Sequence, residues 1–175
     1  AGLTVRVVDL EAYAVERVYG LLSQQLSASS SSVIAVVDMG ASMTTLNVIA
    51  DGSIVYMREQ LFGGRLLTED IQRRFSMTFE EAETAQVNGT LPEEYRLEIL
   101  EPFKASVVQH ISRALQFFFS SGQHQTVDHV LLAGGIASLD GMGEVVQERL
   151  GVPVQVVNPF DNMQISSKVN GTELK

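Results

Sequence analysis

Val33-Ile34-Ala35-Val36-Val37-Asp38-Met39-Gly40-Ala41-Ser42-Met43-Thr44-Thr45 is the stretch on which the reading of the fold turns. The apolar run from Val33 to Val37 has no polar alternation, which marks a strand buried on both faces. It stops at Asp38, and Gly40 with its small hydroxylated neighbours gives a tight hairpin into a second strand over 44–50. Asp51-Gly52 is a strong two-residue hairpin signal. A third strand is therefore expected over 53–61, running out at Phe62-Gly63-Gly64.

Downstream, a helix is expected from Leu66 to Phe75. Thr78-Phe79-Glu80-Glu81 then fits a capping box, opening a helix that stops near Asn88-Gly89. A long helix follows from Pro92 to about Ser121, with Leu100, Phe103, Val107, Ile111, Ala114 and Phe118 as its apolar stripe. Pro102 should kink or split it. A strand over 128–133 ends in Gly134-Gly135, a helix runs from Gly141 to Leu150, and a last strand covers 154–157. Upstream, Leu3 to Val8 reads as a strand and Glu11 to Leu26 as an amphipathic helix, before five serines within Ser27 to Ser32. The order is β-β-β, helices, then β-α-β. It predicts an α/β, ribonuclease-H-like fold with a mixed five-stranded sheet and a small helical inserted subdomain at about 62–98. Residues 1–32 are expected to form a connecting strand, helix and Ser-rich linker, and 33–175 the main domain.

Composition narrows the function. Of 175 residues, 45% are hydrophobic and 19% charged, enough apolar side chain for one sizeable core. Lys and Arg number 12 against 21 Asp and Glu, a net charge of −9 that argues against nucleic acid as a partner. The lack of Cys excludes disulfides, thiolate metal sites and a Cys nucleophile. No apolar run approaches the roughly 20 residues of a membrane span. Ala1 to Asp9 has no basic region followed by an apolar one, so no signal peptide is expected, and a start without Met is read as a piece of a longer chain.

Three loops carry candidate chemistry. Asp38 ends a buried strand, and Gly40, Ala41 and Ser42 follow. Glycine lets the backbone approach a phosphate closely, and N–H and hydroxyl groups donate to its oxygens. Asp38 could hold magnesium through water. A plain hairpin has the same local pattern. Gly134-Gly135-Ile136 ends a strand where open sheets usually bind ligands, and it also reads as an ordinary tight turn. In this topology both loops should open onto one cleft. Phe62-Gly63-Gly64-Arg65 enters a helix whose N-terminus can face an anion, or serves only as a hinge. His110, His124 and His129 have no metal-ligand spacing. Phe117, Phe118 and Phe119 cannot all face inward.

Together the motifs resemble a known family. Asp-x-Gly-Ala-Ser with Thr44-Thr45, Gly-Gly-x-x-Leu-Thr at Gly63 to Thr68 and Ala-Gly-Gly-Ile-Ala-Ser at Ala133 to Ser138 are similar to the second phosphate loop and adenosine motif of the actin-like ATPases. Within these the chain most resembles the PilM family of type IV pilus assembly proteins, related to FtsA. Val7 to Ala12, Thr78 to Glu83 and Val157 to Phe160 add to the likeness. The resemblance implies the C-terminal half of a two-domain protein with ATP and Mg²⁺ between the domains. It makes Asp38 the magnesium-side aspartate, Gly40, Ala41 and Ser42 the phosphate hairpin, Gly64 and Glu83 the approach to the ribose, and Gly134, Gly135 and Ile136 the adenosine loop. Gln86 departs from relatives that place Lys near that position. By the same resemblance the protein is cytoplasmic and peripheral at the inner membrane, binds the PilN cytoplasmic tail and other pilus assembly proteins, and couples the membrane alignment complex to the pilus motor. This chain alone is expected not to hydrolyse ATP.

Other enzyme classes fit the residues less well. A ribonuclease-H-type nuclease needs several carboxylates around two metals, and strand Val130 to Ala133 carries none. A sugar-kinase half would need a catalytic base outside these residues. A nucleotide-independent interaction module is the alternative that the residues also fit. The apolar stripe of Glu11 to Leu26 is expected either to fold back on the sheet or to support self-association.

Overall fold

The computed structural model describes residues 4–22, 32–122 and 124–158. The apolar run forms β1 (Ile34–Met39), and the hairpin leads into β2 (Thr44–Ala50). Asp51 and Gly52 take φ of 52° and 78°, the left-handed pair of a two-residue hairpin turn, and β3 (Ser53–Gln60) returns. β4 (His129–Ala133) and β5 (Val154–Val156) complete a five-stranded sheet in the order β3-β2-β1-β4-β5. β1 pairs antiparallel with β2 and parallel with β4, β2 pairs antiparallel with β3, and β4 pairs parallel with β5. This is the mixed sheet the sequence predicts, and β1 is its centre, which is why its sequence does not alternate.

Both faces of β1 are buried, against different partners. Ala35, Val37 and Met39 belong to the main core with Phe103, Val107, Ile111, Ala114 and Phe118 of α4 (Glu101–Ser120). Ile34 and Val36 face the other way, where Val15 and Tyr19 of α1 (Glu11–Leu22) pack on them. α1 thus lies back on its own sheet. Its Glu16 also accepts the N–H of Ile54, on edge strand β3, at 2.8 Å. Of the three consecutive phenylalanines, Phe118 is fully buried, Phe119 half-buried and Phe117 exposed beneath the Arg58 guanidinium.

α2 (Gly64–Phe75) and α3 (Phe79–Asn88) follow β3 and pack on each other. Leu67, Ile71 and Ala82 join them to the main core. The capping box is present: Glu81 N–H donates to the Thr78 hydroxyl at 3.3 Å, and Thr78 N–H to the Glu81 carboxylate at 2.7 Å. Pro102 does not split the predicted long helix, which is continuous over residues 94–120. A widened turn over Arg96–Leu100, closed by Glu101 N–H on the Arg96 carbonyl, precedes α4. Pro102 has no N–H for the Glu98 carbonyl and its ring crowds that position, so the ladder loosens there. α5 (Met142–Leu150) runs between left-handed glycines at 141 and 151.

Expectations at the N-terminal end need correction. Residues 4–10 form no strand, and Val5, Val7 and Val8 are exposed. A strand exists only against a neighbour, and the sheet ends at β3 and β5 without pairing to this segment. The helix expected to reach Leu26 is described to Leu22; the Ser-rich stretch through 31, and everything from 159 onward, lie outside the described residues.

Candidate functional site

The C-terminal ends of β1 and β4 lie side by side, with Asp38 opposite Ala133. β4 then turns at Gly134, whose φ is 84°; a Cβ there would stand 2.4 Å from the Met39 carbonyl oxygen and 2.6 Å from Asp38 Oδ1. Glycine alone permits both the left-handed backbone and this approach. Asp38 and Gly134 therefore meet at one end of the sheet.

The β1–β2 hairpin closes through Gly40 N–H on the Met43 carbonyl at 2.9 Å. Ala41 and Ser42 form its exposed tip, and among the described residues neither N–H has a hydrogen-bond partner. Behind the tip, Gly63 is packed so closely that a Cβ would sit 2.4 Å from the Ala41 carbonyl oxygen. Gly64 N–H donates to the Gly40 carbonyl at 3.1 Å and Arg65 N–H to the Ala41 carbonyl at 2.8 Å. This corrects the reading of the α2 N-terminus as an anion site. Its first donors are spent on the hairpin and fix it in place. Thr44 Oγ1 adds a buried hydrogen bond to the Phe62 carbonyl at 2.8 Å. The Phe62 ring stacks on His110 at 4.0 Å, and His110 Nδ1 lies 3.0 Å from Gln60 Oε1. Burial pushes the His110 pKa down, and the charge of Arg113 adds to the effect.

In front of the hairpin is a cleft of about 720 Å³, bounded by α2, α3 and a short 3₁₀ turn at Gly135–Ser138. Gly40, Ala41, Ser42, Gly64, Glu83, Gly135 and Ile136 all line it. Asp38 and Gly134 do not. They line a second cavity of about 360 Å³ beneath α1, together with Glu11, Val15 and Tyr19. Side chains alternate along a strand: Met39 faces the cleft, and Asp38 faces α1. Both loops thus open onto the one cleft as expected, through Gly40 to Ser42 and Gly135-Ile136, while Asp38 and Gly134 face the cavity on the other side of the sheet end.

The cleft is amphipathic. Leu67, Phe79, Val87, Ile136 and Leu139 give it apolar walls, Ala41 and Ser42 stand at one end, and Glu83 and Gln86 project from α3. Arg65 is the only cation, and Glu83 the only carboxylate, among the described residues lining it. Thr68 and Phe79 were not among the candidate residues, and Arg65 was named only as part of the Phe62 to Arg65 loop, with no role of its own. For Arg65 a signal existed, since it directly follows Gly63-Gly64 at the start of a helix. Among the described residues no three His, Asp or Glu side chains cluster as a metal site, and no helix is long and apolar enough to cross a membrane.

Comparison with known proteins shows the family and the fold. The family model described as type IV pilus assembly protein PilM matches residues 1–175. The cell division protein FtsA of Enterococcus hirae is 26% identical over 147 residues, covering 71% of this chain and 33% of that protein. FtsA of Enterococcus faecalis is 24% identical over 146 residues, with the same coverage of 71% and 33%. The chain thus spans about one third of the curated relatives it matches. Among solved structures, a chain of a PilM-PilN type IV pilus biogenesis complex superposes with a TM-score of 0.77 at 24% identity, over 99% of this chain and 49% of that one. Ta0583, an archaeal actin homolog solved in complex with ADP, gives 0.65 at 19% identity, over 85% and 51%. These likenesses show an actin-like fold.

Proposed function

The chain belongs to the type IV pilus assembly protein PilM family, and from that premise we propose that it forms one side of the ATP site of an actin-like scaffold coupling the inner-membrane alignment complex to the pilus motor. One observation carries the nucleotide reading: N–H groups without a partner among the described residues stand at a hairpin tip, at one end of a cleft that also has apolar walls from Leu67, Phe79, Val87, Ile136 and Leu139. The Ala41 and Ser42 N–H groups suit phosphoryl oxygens. The Glu83 carboxylate accepts from ribose hydroxyls, with Gly64 leaving room for the sugar. Gly135 and Ile136, with Val87 and Leu139, offer an apolar slot for adenine.

Asp38 fits a magnesium role. It is a single half-buried carboxylate against Gly134, and Mg²⁺ keeps most of its waters and takes few protein ligands. Asp38 would hold the ion's water shell from the α1 side of the sheet end, so the ion would supply neutralising charge only to phosphates that extend past the hairpin tip to that side. By the same reading the partners are the PilN cytoplasmic tail and other pilus assembly proteins, and the protein works at the cytoplasmic face of the inner membrane.

A second reading, an interaction module that needs no nucleotide, is favoured by the uncharged Gln86 and by the α2 donors already spent on the hairpin. Titration with a fluorescent ATP analogue separates the two. Saturable, magnesium-dependent binding that is lost in Ile136→Asp supports the nucleotide reading. Absence of binding by a correctly folded chain that still captures a PilN-tail peptide supports the module.

A further inference from the structure

Arg65, the one cation among the described residues that line the cleft, has no role in the proposed nucleotide site. Arg65 is the second residue of α2, and its N–H on the Ala41 carbonyl at 2.8 Å fixes its backbone against the hairpin tip. Its guanidinium lies over the Phe79 ring, 5.4 Å from the centroid, and its Nε donates to Glu69 Oε1 at 3.2 Å. Both partners of that ion pair are well exposed, at 63% and 42%. A pair so open to water has little net worth and is easily given up.

A nucleoside triphosphate brings several negative charges to a chain that itself carries −9. Gln86 contributes no positive charge to the cleft. Resting on the nucleotide reading above, we infer that Arg65 is the phosphate-reading residue of this site. Its guanidinium leaves Glu69 and donates, as a planar fork, to the phosphoryl oxygens gathered at the hairpin tip. Phe79 supports the guanidinium plane along the cleft wall. Glu69 competes with the ligand, holding Arg65 aside while the cleft is empty.

The test compares ATP, adenosine and inorganic triphosphate as competitors of a fluorescent ATP analogue, on the chain and on Arg65→Gln, Arg65→Lys and Glu69→Gln. Thermal melts check that each variant folds. Arg65→Gln should weaken ATP about tenfold, the size of one lost charge-assisted contact, and weaken triphosphate likewise, while adenosine is unchanged. Arg65→Lys should fall between, because it keeps the charge and loses the fork. Glu69→Gln should bind ATP about two- to threefold more tightly, the worth of a released surface pair. A structural role for Arg65 predicts neither the tightening nor the sparing of adenosine. Equal ATP affinity in Arg65→Gln, equal loss for adenosine, or weaker binding in Glu69→Gln overturns the assignment and leaves the nucleotide reading standing. A chain that binds neither ATP nor adenosine overturns both.

Discussion

A methyl group at Gly134 would meet the Met39 carbonyl oxygen at 2.4 Å, on a backbone already at φ 84°. Gly134→Ala should therefore combine left-handed strain of about 1–3 kcal/mol with a clash of similar size. We expect a loss near ~3 kcal/mol in urea unfolding, whereas Gly135→Ala, with nothing within 4 Å of its Cβ position, should change little. His110 makes a prediction in pH. Its folded-state pKa lies below the ordinary 6.5, through burial and then Arg113. Below that value the unfolded chain binds a proton that the folded one refuses, so stability falls as pH drops through the histidine range, until the folded imidazole also protonates. Urea midpoints measured near about pH 7.5 and about 5.5 should converge in His110→Phe relative to the unmodified chain. At this scale the sequence was partly legible. Asp-x-Gly-Ala-Ser identifies the hairpin, but the direction in which Asp38 points depends on the pleat of β1, which no motif encodes. Arg65 was visible at a helix start, but its place in the cleft was not, since that comes from Phe79 and Ala41, remote in the chain.

Among the elements, α3 was the most readable, because its capping box is a local spacing that needs no tertiary partner. Thr78→Ala should cost about 1 kcal/mol in a thermal melt and Thr78→Ser much less. The Thr78 N–H and hydroxyl hold the Glu81 carboxyl below the usual carboxylate range. That contribution is present at neutral pH and is lost as pH falls through the lowered value. Pro102 announced a disturbance of the helix without saying which kind. The choice of a widened turn over a kink comes with Ile99 and Leu100, both buried in the core. Leu3 to Val8 misled because β-branched residues suit a strand only where a neighbouring strand accepts them.

For the whole molecule, the unbroken apolar run of β1 was enough to put it at the sheet's centre, and the order of turns and glycines supplied the rest. The division of the sheet end into two cavities was not legible, because it arises from which helix covers which face. It also bears on activity. Stabilising a phosphoryl-transfer transition state takes donors and metal ligands on more than one side. Within these residues the hairpin tip lines one cavity and the Asp38 carboxylate another, so the two do not surround a phosphoryl group. With ATP and Mg²⁺ the chain alone should show no turnover above buffer, and activity that disappears in Asp38→Ala would overturn that expectation. The bond from Ile54 to Glu16 has a consequence of another kind. An open strand edge is a template on which foreign chains polymerise, and β3 displays Val55 and Met57 along such an edge. By seating a carboxylate on an outward amide, α1 fills a place where an incoming strand would offer its carbonyl, and sets a negative charge in its path. Lifting that helix would return the Ile54 amide to the open edge, where an incoming strand could pair with it.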